Sequence, residues 1–282
     1  MTRVGIVTGS NRGIGLALVR RLCRLWGEDG VVYLTARRDS DGEAAVALLR
    51  SEGLSPNYHR LDLASGDSVV SLARHIGRTH GGVDVVIQNG AYAPAPGSPA
   101  SADARPMIEA NNHGSCRMLR EFRPLLREGA RMLVVASGFG TLARLPAHLQ
   151  PLLDGDARTP AEIEAAMDVY VAAVEDGTAK QRGWPDWVNV TSKVGQVALT
   201  RATAREWRAD PGLPRDVLLN AVCPGWTITD ATRGYLATMP EVKAKTPDEA
   251  AVDVIWLATL LAGTKTPHGE LVQYRKVIPF RA

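Results

Sequence analysis

The chain of 282 residues contains only three cysteines, Cys23, Cys116 and Cys223. They are odd in number, far apart and set in apolar helix or strand patterns, so neither a disulfide framework nor a metal site of closely spaced ligands fits them. We therefore expect buried, reduced thiols in a cytoplasmic protein, and no metal.

Long apolar runs and concentrations of charge are also missing. No segment reaches the length needed to span a membrane, and the N-terminus enters a strand pattern at once, without the charged and apolar regions of a signal peptide. The 33 basic and 30 acidic residues nearly balance, to a net charge of +3, and Lys and Arg are scattered along the chain. We therefore expect neither a nucleic-acid-binding nor a membrane-binding surface.

What the sequence does contain is an alternation of short β-branched runs with longer helical periods, which is typical of βαβ units. We predict a single α/β domain over residues 1–282, with a doubly wound parallel sheet of seven strands covered by helices on both faces. The predicted strands are 3–8, 31–35, 57–61, 83–88, 131–136, 217–222 and 271–275.

One connection breaks this alternation. Between 138 and 187 no strand pattern occurs, only a segment rich in Pro, Asp and Gly around a helical period near 161–175. We interpret 138–187 as a helical insertion within the domain.

A glycine-rich segment follows the first predicted strand directly and leads into a helix. It reads Thr8-Gly9-Ser10-Asn11-Arg12-Gly13-Ile14-Gly15. Gly9 suits a tight turn, Gly13 a close approach of the backbone to a diphosphate, and Gly15 the packing of helix on strand. The alternative is a plain strand-to-helix turn, but strand, glycines and helix in this order favour a dinucleotide site of the Rossmann type.

The end of the second strand indicates which dinucleotide. NAD is usually held there by an acidic residue, whereas this chain reads Thr35-Ala36-Arg37-Arg38. Arg37, with Arg12 from the glycine-rich segment, suits the 2′-phosphate of NADP(H). We interpret Arg38 as an ordinary solvated arginine.

These motifs resemble the short-chain dehydrogenase/reductase superfamily along nearly the whole chain. The resemblance includes Leu61-Asp62-Leu63, Asn89-Gly90-Ala91 and Pro224-Gly225 after successive strands. Further stretches are similar to the monomeric carbonyl reductases of animals, namely Gly183-Trp184-Pro185, Cys223-Pro224-Gly225-Trp226 and Pro267-His268-Gly269. Gln88-Asn89-Gly90-Ala91 departs from the usual Asn-Asn-Ala-Gly of the family.

The resemblance implies roles for residues at the strand ends. Asp62 and Leu63 would hold the adenine and Asn89 the nicotinamide ribose. The segment after the sixth strand would contact the diphosphate and carboxamide through Pro224, Gly225, Thr227 and Thr229. Turn chemistry alone is the alternative at these positions.

The resemblance also implies a catalytic group of Asn, Ser, Tyr and Lys. Asn111 and Ser137 align with the first two, and Lys193 aligns with the lysine, which would also bind ribose. In the family the Ser orients the carbonyl, the Tyr protonates its oxygen, the Lys lowers the Tyr pKa from about 10, and the Asn holds a water. Four residues before Lys193, however, stands Asn189 instead of Tyr.

Three alternatives follow from the missing tyrosine. The first is an NADPH-dependent reductase acting on an imine or iminium, or on a carbonyl protonated by water or by His113, Tyr170 or Tyr235. The second is a non-redox enzyme, such as a cyclase, isomerase or dehydratase, that keeps the cofactor site. The third is a catalytically silent NADP(H)-binding protein, which the presence of Asn111, Ser137 and Lys193 disfavours.

The substrate pocket is expected to be large and apolar, and the substrate a small molecule. Its predicted lining is Phe139, Trp187, Trp226 and Tyr235, with Met239 and Trp184 as further candidates; the alternative for these residues is core packing. We also expect a monomer, because many relatives pair through the helices that carry the Asn and the Lys, and the insertion enters just before the second of these.

Overall fold

The computed structural model describes residues 2–94 and 97–281 and arranges them around one sheet. The strands are β1 (Arg3–Val7), β2 (Gly30–Ala36), β3 (Asn57–Arg60), β4 (Val83–Gln88), β5 (Leu126–Val135), β6 (Leu218–Cys223), β7 (Leu271–Gln273) and β8 (Lys276–Ile278). Their spatial order is β3-β2-β1-β4-β5-β6-β7-β8, and all neighbours pair in parallel except β7 and β8. The predicted doubly wound α/β domain is confirmed.

Helices connect the strands and cover the sheet. They are α1 (Gly13–Trp26), α2 (Asp39–Ser51), α3 (Gly66–His80), α4 (Ala100–Met107), α5 (Gly114–Phe122), α6 (Pro160–Glu175), α7 (Val188–Ala209), α8 (Arg233–Leu236) and α9 (Pro247–Ala258). A π-helical segment, Ile108–His113, joins α4 to α5, and short 3-10 turns lie at Gly27–Asp29, Arg123–Leu125, Leu142–Arg144 and Gln150–Leu152.

The prediction of seven strands is wrong at the last strand. The segment 271–275 is not one strand but the start of a hairpin between β7 and β8, turned by Tyr274 and Arg275. Both residues have positive φ, 51° and 62°, as a two-residue hairpin turn of type I′ requires. Such turns are usually signalled by Asn-Gly or Asp-Gly, and Tyr-Arg gives no such signal.

The sheet separates two apolar cores because successive side chains of a strand point to opposite faces. In β1, Ile6 packs in the core covered by α3, α5 and α7, whereas Val7 packs in the core covered by α1, α2 and α9. Both side chains are fully buried. Burial on both faces explains why most strands read as continuous apolar runs, whereas the edge strand β3 reads Asn-Tyr-His-Arg and has no buried residue.

The carboxyl ends of β1 to β6 meet at one edge of the sheet. β2 and β3 lie on one side of β1, and β4 to β8 lie on the other side. The order of strands therefore reverses its direction next to β1. A crevice forms at such a reversal of strand order, and ligands of doubly wound sheets bind there.

The connection from β5 to α7 contains α6, which coincides with the helix predicted near 161–175. The helix begins with a capping box, in which the Thr159 hydroxyl accepts from the amide of Glu162 at 3.3 Å and the Glu162 carboxylate accepts from the amide of Thr159 at 2.8 Å. It packs against α4, the π-helical segment and α7. The helices that carry Asn111 and Lys193 are therefore partly covered by α6.

All three cysteines are free, but only Cys223 is buried. The expectation of burial is wrong for Cys23 and Cys116, which are half-buried because they lie beside the apolar helix face that α1 and α5 turn toward the sheet.

Across the part of the chain that the structure describes, no helix has the length and apolar character to cross a membrane.

Candidate active site

A cleft of about 1620 Å³ opens at the carboxyl edge of the sheet. It brings together the residues that the sequence analysis assigned to cofactor binding. Lining it are Gly9, Asn11, Arg12, Gly13, Ile14, Gly15, Arg37, Asp62, Leu63, Asn89, Lys193, Pro224, Gly225, Thr227 and Thr229. One continuous cavity thus joins the glycine-rich segment to the ends of β2 to β6.

Two positions of the glycine-rich segment, Gly9 and Gly15, leave no room for a side chain. Gly9 has φ of 58°, and a Cβ there would lie 2.5 Å from the Cα of Gly90. A Cβ on Gly15 would lie 2.5 Å from the carbonyl oxygen of Gly9. A Cβ on Gly90 would lie 3.0 Å from a methyl carbon of Leu63 and 3.2 Å from the amide nitrogen of Gly9, so the loops after β1 and β4 lie in close contact at this point.

Hydrogen bonds of Asn89 and Thr8 connect those two loops. The Thr8 hydroxyl accepts from the amides of Asn89 and Gly90 at 3.0 and 2.9 Å. The side-chain amide of Asn89 donates to the carbonyls of Thr8 and Gly9 at 3.1 and 3.2 Å. The Asn89 side chain therefore holds the glycine-rich segment in place, and its side-chain nitrogen is already hydrogen-bonded.

The arginines at the end of the cleft differ in their partners. Arg38 pairs with Asp41 at 2.8 Å, as expected of an ordinary solvated arginine. Arg12 pairs with Asp230 at 3.0 Å, and both side chains are well exposed. Among residues 2–94 and 97–281, no carboxylate forms an ion pair with Arg37, although its side chain is exposed and lines the cleft. Arg37 is thus the most available anion-binding group in this part of the cleft.

Two further segments give the cleft fixed walls. Asp62 shapes the turn after β3 by accepting from the amide of Ala64 at 3.0 Å. In the loop after β6, the hydroxyls of Thr229 and Thr232 lie 3.0 Å apart, and Thr227 forms a parallel bridge with Lys245. A Cβ added to Gly13 would lie 3.4 Å from Thr229, so this loop lies directly opposite the glycine-rich segment.

Ser137, Asn189 and Lys193 line the same cleft. Ser137 follows β5, and its hydroxyl accepts from the amide of Phe139 at 3.2 Å. Asn189 and Lys193 lie four residues apart near the start of α7 and so share one helix face. The structure therefore presents a hydroxyl, an amide and an amine to one cavity.

Lys193 is almost completely enclosed. Its ammonium nitrogen donates to the backbone carbonyl of Val135 at 3.3 Å and to Oε1 of Gln196 at 2.7 Å. Burial lowers the pKa of Lys193 to about 8. Gln196 was not among the predicted site residues, although its spacing of three from Lys193 places both side chains on the same side of α7.

Asn111 does not line the cleft and is 1% exposed. It lies in the π-helical segment, a form of helix that often marks functional sites. Its side chain accepts from the amide of Tyr92 at 2.8 Å and donates to the Ser192 hydroxyl at 3.3 Å. Its backbone carbonyl accepts from Nε2 of Gln196 at 3.1 Å. Asn111 therefore reaches Lys193 only through Gln196.

Aromatic side chains line the end of the cleft that contains Ser137, Asn189 and Lys193. Phe139 meets Trp187 edge to face with ring centroids 5.4 Å apart, Trp226 lies 6.4 Å from Phe139, and Trp187 lies 5.3 Å from Tyr235. All four predicted pocket aromatics line the cleft. The guanidinium of Arg144, which the sequence analysis did not single out, lies over the Phe139 ring at 5.1 Å.

Two other aromatic or apolar candidates for the pocket are elsewhere. Trp184 is 4% exposed and packs on Tyr170 at 5.0 Å, in the core beneath α6. Met239 follows α8 and does not line the cleft. Both residues lie in long connections between strands, and the sequence does not show how far such connections extend from the cleft.

Of the three candidate replacements for the missing acid, only Tyr235 reaches the cleft. Tyr170 is 1% exposed, and burial raises its pKa to about 12. His113 is bound to α6, with Nδ1 3.2 Å from Glu164 and Nε2 2.9 Å from Asp168. The suggestion of His113 and Tyr170 as proton donors is therefore wrong.

A doubly wound sheet with a glycine-rich segment between β1 and α1, and with Ser137 and Lys193 in one cleft at the strand ends, is the scaffold of nucleotide-dependent oxidoreductases. Comparison with known proteins agrees. A family profile for short chain dehydrogenases matches residues 3–148, and the chain belongs to the short-chain dehydrogenase/reductase family.

Its similar relatives include carbonyl reductase 1 (NADPH) of Sus scrofa, which is 35% identical over 98% of this chain and 94% of the relative. The human protein of the same name is 34% identical over 97% of each chain. Among solved structures, salutaridine reductase from Papaver somniferum superposes with a TM-score of 0.83 at 23% identity, covering 95% of this chain and 99% of that one. Menthone neomenthol reductase from Mentha piperita gives 0.77 at 22% identity, covering 97% and 99%. The two structural likenesses support the fold.

Proposed function

We propose that this protein is an NADPH-dependent reductase of a carbonyl or an imine/iminium in a bulky, apolar small molecule, working with Asn189 where relatives carry a tyrosine. The observation that carries the proposal is the convergence of Ser137, Asn189 and Lys193 on an aromatic-walled cleft that continues into the phosphate loop. The similar relatives are named as NADPH-dependent carbonyl reductases.

The cleft fits NADP(H) on the evidence of its own residues. The glycines leave a cradle that side chains at Gly9 and Gly15 would fill, and the start of α1 presents backbone N–H groups to a diphosphate. Arg37, with no carboxylate paired to it among the described residues, suits the 2′-phosphate. When bound, NADPH supplies a hydride to an electrophilic carbon.

The protein's own groups then orient and polarise the substrate. The Ser137 hydroxyl can donate to the oxygen or nitrogen of the reacting double bond, and the Asn189 amide can hydrogen-bond the same atom. An amide does not release a proton near neutral pH, so Asn189 supplies orientation rather than acid catalysis. Lys193 provides positive charge within the enclosed end of the cleft.

The aromatic wall determines which substrates fit. Phe139, Trp187 and Trp226 line the cavity, and Tyr235 lines it at the outer rim with 38% exposure. Such a wall favours flat or bulky apolar molecules, because burial of apolar surface drives their binding.

A non-redox reaction in the same cleft, such as a cyclisation, isomerisation or elimination, is the second candidate. It is favoured by one observation, the amide of Asn189 in place of a proton donor. Purified protein should be incubated with NADPH and panels of ketones, quinones and iminium salts, following NADPH absorbance and product mass. Reduced products with NADPH consumption support the reductase, whereas isomeric or dehydrated products without consumption support the second candidate.

A further inference from the structure

Arg144 adds a cation to the aromatic side chains at the Ser137 end of the cleft. Its guanidinium carbon lies 5.1 Å from the centroid of the Phe139 ring, and the residue lines the cleft. Attraction between a guanidinium and an aromatic face favours this position. An arginine also carries five N–H donors in a planar fork, so the group has donors to offer a ligand.

The guanidinium of Arg144 has no protein partner for those donors within residues 2–94 and 97–281. No carboxylate there forms an ion pair with it, and no carbonyl or side chain accepts a hydrogen bond from it. The acidic residues that line the described part of the cleft are Asp41, Asp62 and Asp230. The first and last are paired with arginines, and Asp62 accepts from a backbone amide in the turn after β3. The cation is therefore open to an anion from outside the chain.

The backbone that carries Arg144 is held on both sides. Arg144 ends the 3-10 turn Leu142–Arg144, and its amide donates to the carbonyl of Thr141 at 3.1 Å. The amide of Leu142 donates to the carbonyl of Phe280 at 2.8 Å. Leu142 and Leu145 are each 3% exposed, whereas Arg144 itself is exposed. An anchored turn thus presents the guanidinium to the cleft.

Phe139 connects this guanidinium to the reacting end of the cleft. Its amide donates to the Ser137 hydroxyl at 3.2 Å, while its ring carries Arg144. The same ring lies 5.4 Å from the ring of Trp187 and 6.4 Å from that of Trp226. The short segment 137–144 therefore brings a hydroxyl, an aromatic surface and an unpaired guanidinium to one cavity.

Arg37 is the other arginine lining the cleft that has no ion pair within the described residues, and it lies at a different place. Arg37 follows β2 and Arg144 follows β5, with β1 and β4 between these strands. Three strand spacings of about 4.8 Å separate the two strand ends by about 14 Å. A 2′-phosphate at Arg37 therefore leaves Arg144 free for a second ligand.

We propose that Arg144 determines substrate specificity by binding a carboxylate. The substrate would place its C=O or C=N bond at Ser137, an apolar ring against Phe139 and the carboxylate at Arg144. The inference rests on the proposed reductase function and narrows its substrate class to elongated, carboxylate-bearing molecules. A carboxylate matches the arginine fork through two parallel N–H···O bonds. Arg144 contacts the end of the substrate remote from the reacting bond and takes no part in the chemical step.

Binding to the NADP⁺ complex tests the proposal without turnover. The probes are keto acids of two lengths, 4-acetylbenzoate and 4′-acetylbiphenyl-4-carboxylate, each with its methyl ester. By titration calorimetry, the wild type should bind at least one acid more tightly than its ester. Arg144→Met should weaken binding of that acid by about 10-fold or more and of the ester much less, because a charge-assisted hydrogen bond is lost. Equal affinities for acid and ester at both lengths would overturn the proposal.

Two further variants at position 144 separate charge from geometry. Arg144→Lys should recover only part of the affinity for the acid, because an ammonium does not match both carboxylate oxygens at once. Arg144→Glu should reverse the preference, so that 4-(aminomethyl)acetophenone binds more tightly than 4-acetylbenzoate. Both melting temperatures should stay within a few degrees of the wild type, since the side chain is exposed. An Arg144→Glu variant that still prefers the acid would overturn the assignment.

Arg233→Met is the matched control. Arg233 is also an exposed arginine that lines the cleft, but it lies on α8, 3.9 Å from Asp230. Its loss should leave the ratio of acid to ester affinity unchanged. A ratio that falls as far in Arg233→Met as in Arg144→Met would assign the preference to the general charge of the cleft and overturn the role of Arg144.

Turnover distinguishes this inference from the proposed function. With saturating NADPH, Arg144→Met should raise KM for the acid and change kcat only a few-fold, because Arg144 would bind substrate and transition state alike. Reduction of acid and ester with equal KM, unaffected by Arg144→Met, overturns this inference and leaves the reductase function standing. Binding of the acid through Arg144 without NADPH consumption, on the ketones or on the matching N-methyl iminium salts, overturns the reductase function and supports Arg144 as an anion-binding residue of a non-redox enzyme.

Discussion

The guanidinium of Arg12 lies 3.0 Å from the carboxylate of Asp230 and so joins the glycine-rich segment to the loop after β6 across the mouth of the cleft. The side chains are 68% and 61% exposed, respectively. An ion pair exposed to this degree contributes little to stability, because water and salt screen it. Arg12 can therefore exchange Asp230 for a phosphate at small cost, whereas Arg37 has no ion pair within the described residues to give up.

Arg37→Ala should weaken NADPH binding, because it removes a charged hydrogen-bond donor from the 2′-phosphate. The loss should be about 1.5–3 kcal/mol, or roughly 10- to 150-fold in Kd, by titration calorimetry, with NADH binding almost unchanged. Arg12→Ala should cost less, since the wild-type Arg12 must first leave Asp230. The neighbouring Arg38→Ala, which removes only a pair with Asp41, is the matched control. Equal NADPH and NADH affinities in the wild type would refute the cofactor assignment.

His113 should make the stability of the protein depend on pH. Its hydrogen bond to Glu164, opposed by burial and aided by the charge of Asp168, raises its pKa above the ordinary value of 6.5, while the bond to His113 lowers the pKa of Glu164. A raised histidine pKa adds stability that is fully present below about 6.5 and is lost as pH rises through the folded-state value. His113→Gln should therefore cost about 1–2 kcal/mol in urea unfolding at pH 6 and much less at pH 9.

The control for that measurement is His148→Gln. The ring of His148 lies on the exposed connection before α6 and contacts the backbone carbonyl of Arg182 at 2.9 Å rather than a carboxylate. The difference from wild type should be small, because this exposed ring has no carboxylate partner among the described residues to lose. A His113→Gln difference that does not shrink at high pH would show that the ring acts by packing alone.

The cofactor half of the site could be predicted from the sequence because its signals are local. Glycines at fixed spacing, and the residue that follows each buried strand, reach the same edge of any parallel sheet. Gln196 could not be predicted, because a glutamine on a buried helix face has no partner in the nearby sequence. The orientation of the Gln196 side chain depends on the backbone carbonyl of Asn111, 85 residues away. The π-helical segment places this carbonyl 3.1 Å from Nε2 of Gln196. Arg12 was predicted as a phosphate ligand, and its pairing with Asp230 depends on a loop 218 residues further along.

The protein should be a monomer in solution. Helix α6 packs over α4, the π-helical segment and α7, and His113 on that segment is bound to Glu164 and Asp168 of α6. A second copy could pair through these helices only by displacing α6. Light scattering at several concentrations should give the mass of one chain, and a stable dimer or tetramer mass would refute this prediction.

The amide at position 189 should limit reduction of simple ketones, and Asn189→Tyr should relieve that limit. Asn189 lies one helical turn before Lys193 on the face of α7 that lines the cleft, together with Ser137. A phenol placed there would come within reach of both, and the Lys193 ammonium would favour its ionised form. NADPH-dependent ketone reduction should rise by about 10²–10⁴-fold, the effect of a positioned acid.

Asn189→Phe provides the matched control, since it adds the same ring without the hydroxyl. Steady-state rates with a ketone and an N-methyl iminium salt would be compared across wild type, Asn189→Tyr and Asn189→Phe, with NADPH affinity measured for each. The tyrosine should help the ketone and leave the iminium nearly unchanged, because reduction of a cationic carbon leaves no oxygen to protonate. If the native reaction is instead a cyclisation, both aromatic variants should slow it by filling space in the cleft. A wild-type protein as fast on ordinary ketones as its tyrosine variant, with NADPH bound normally by both, would show that position 189 does not limit proton delivery.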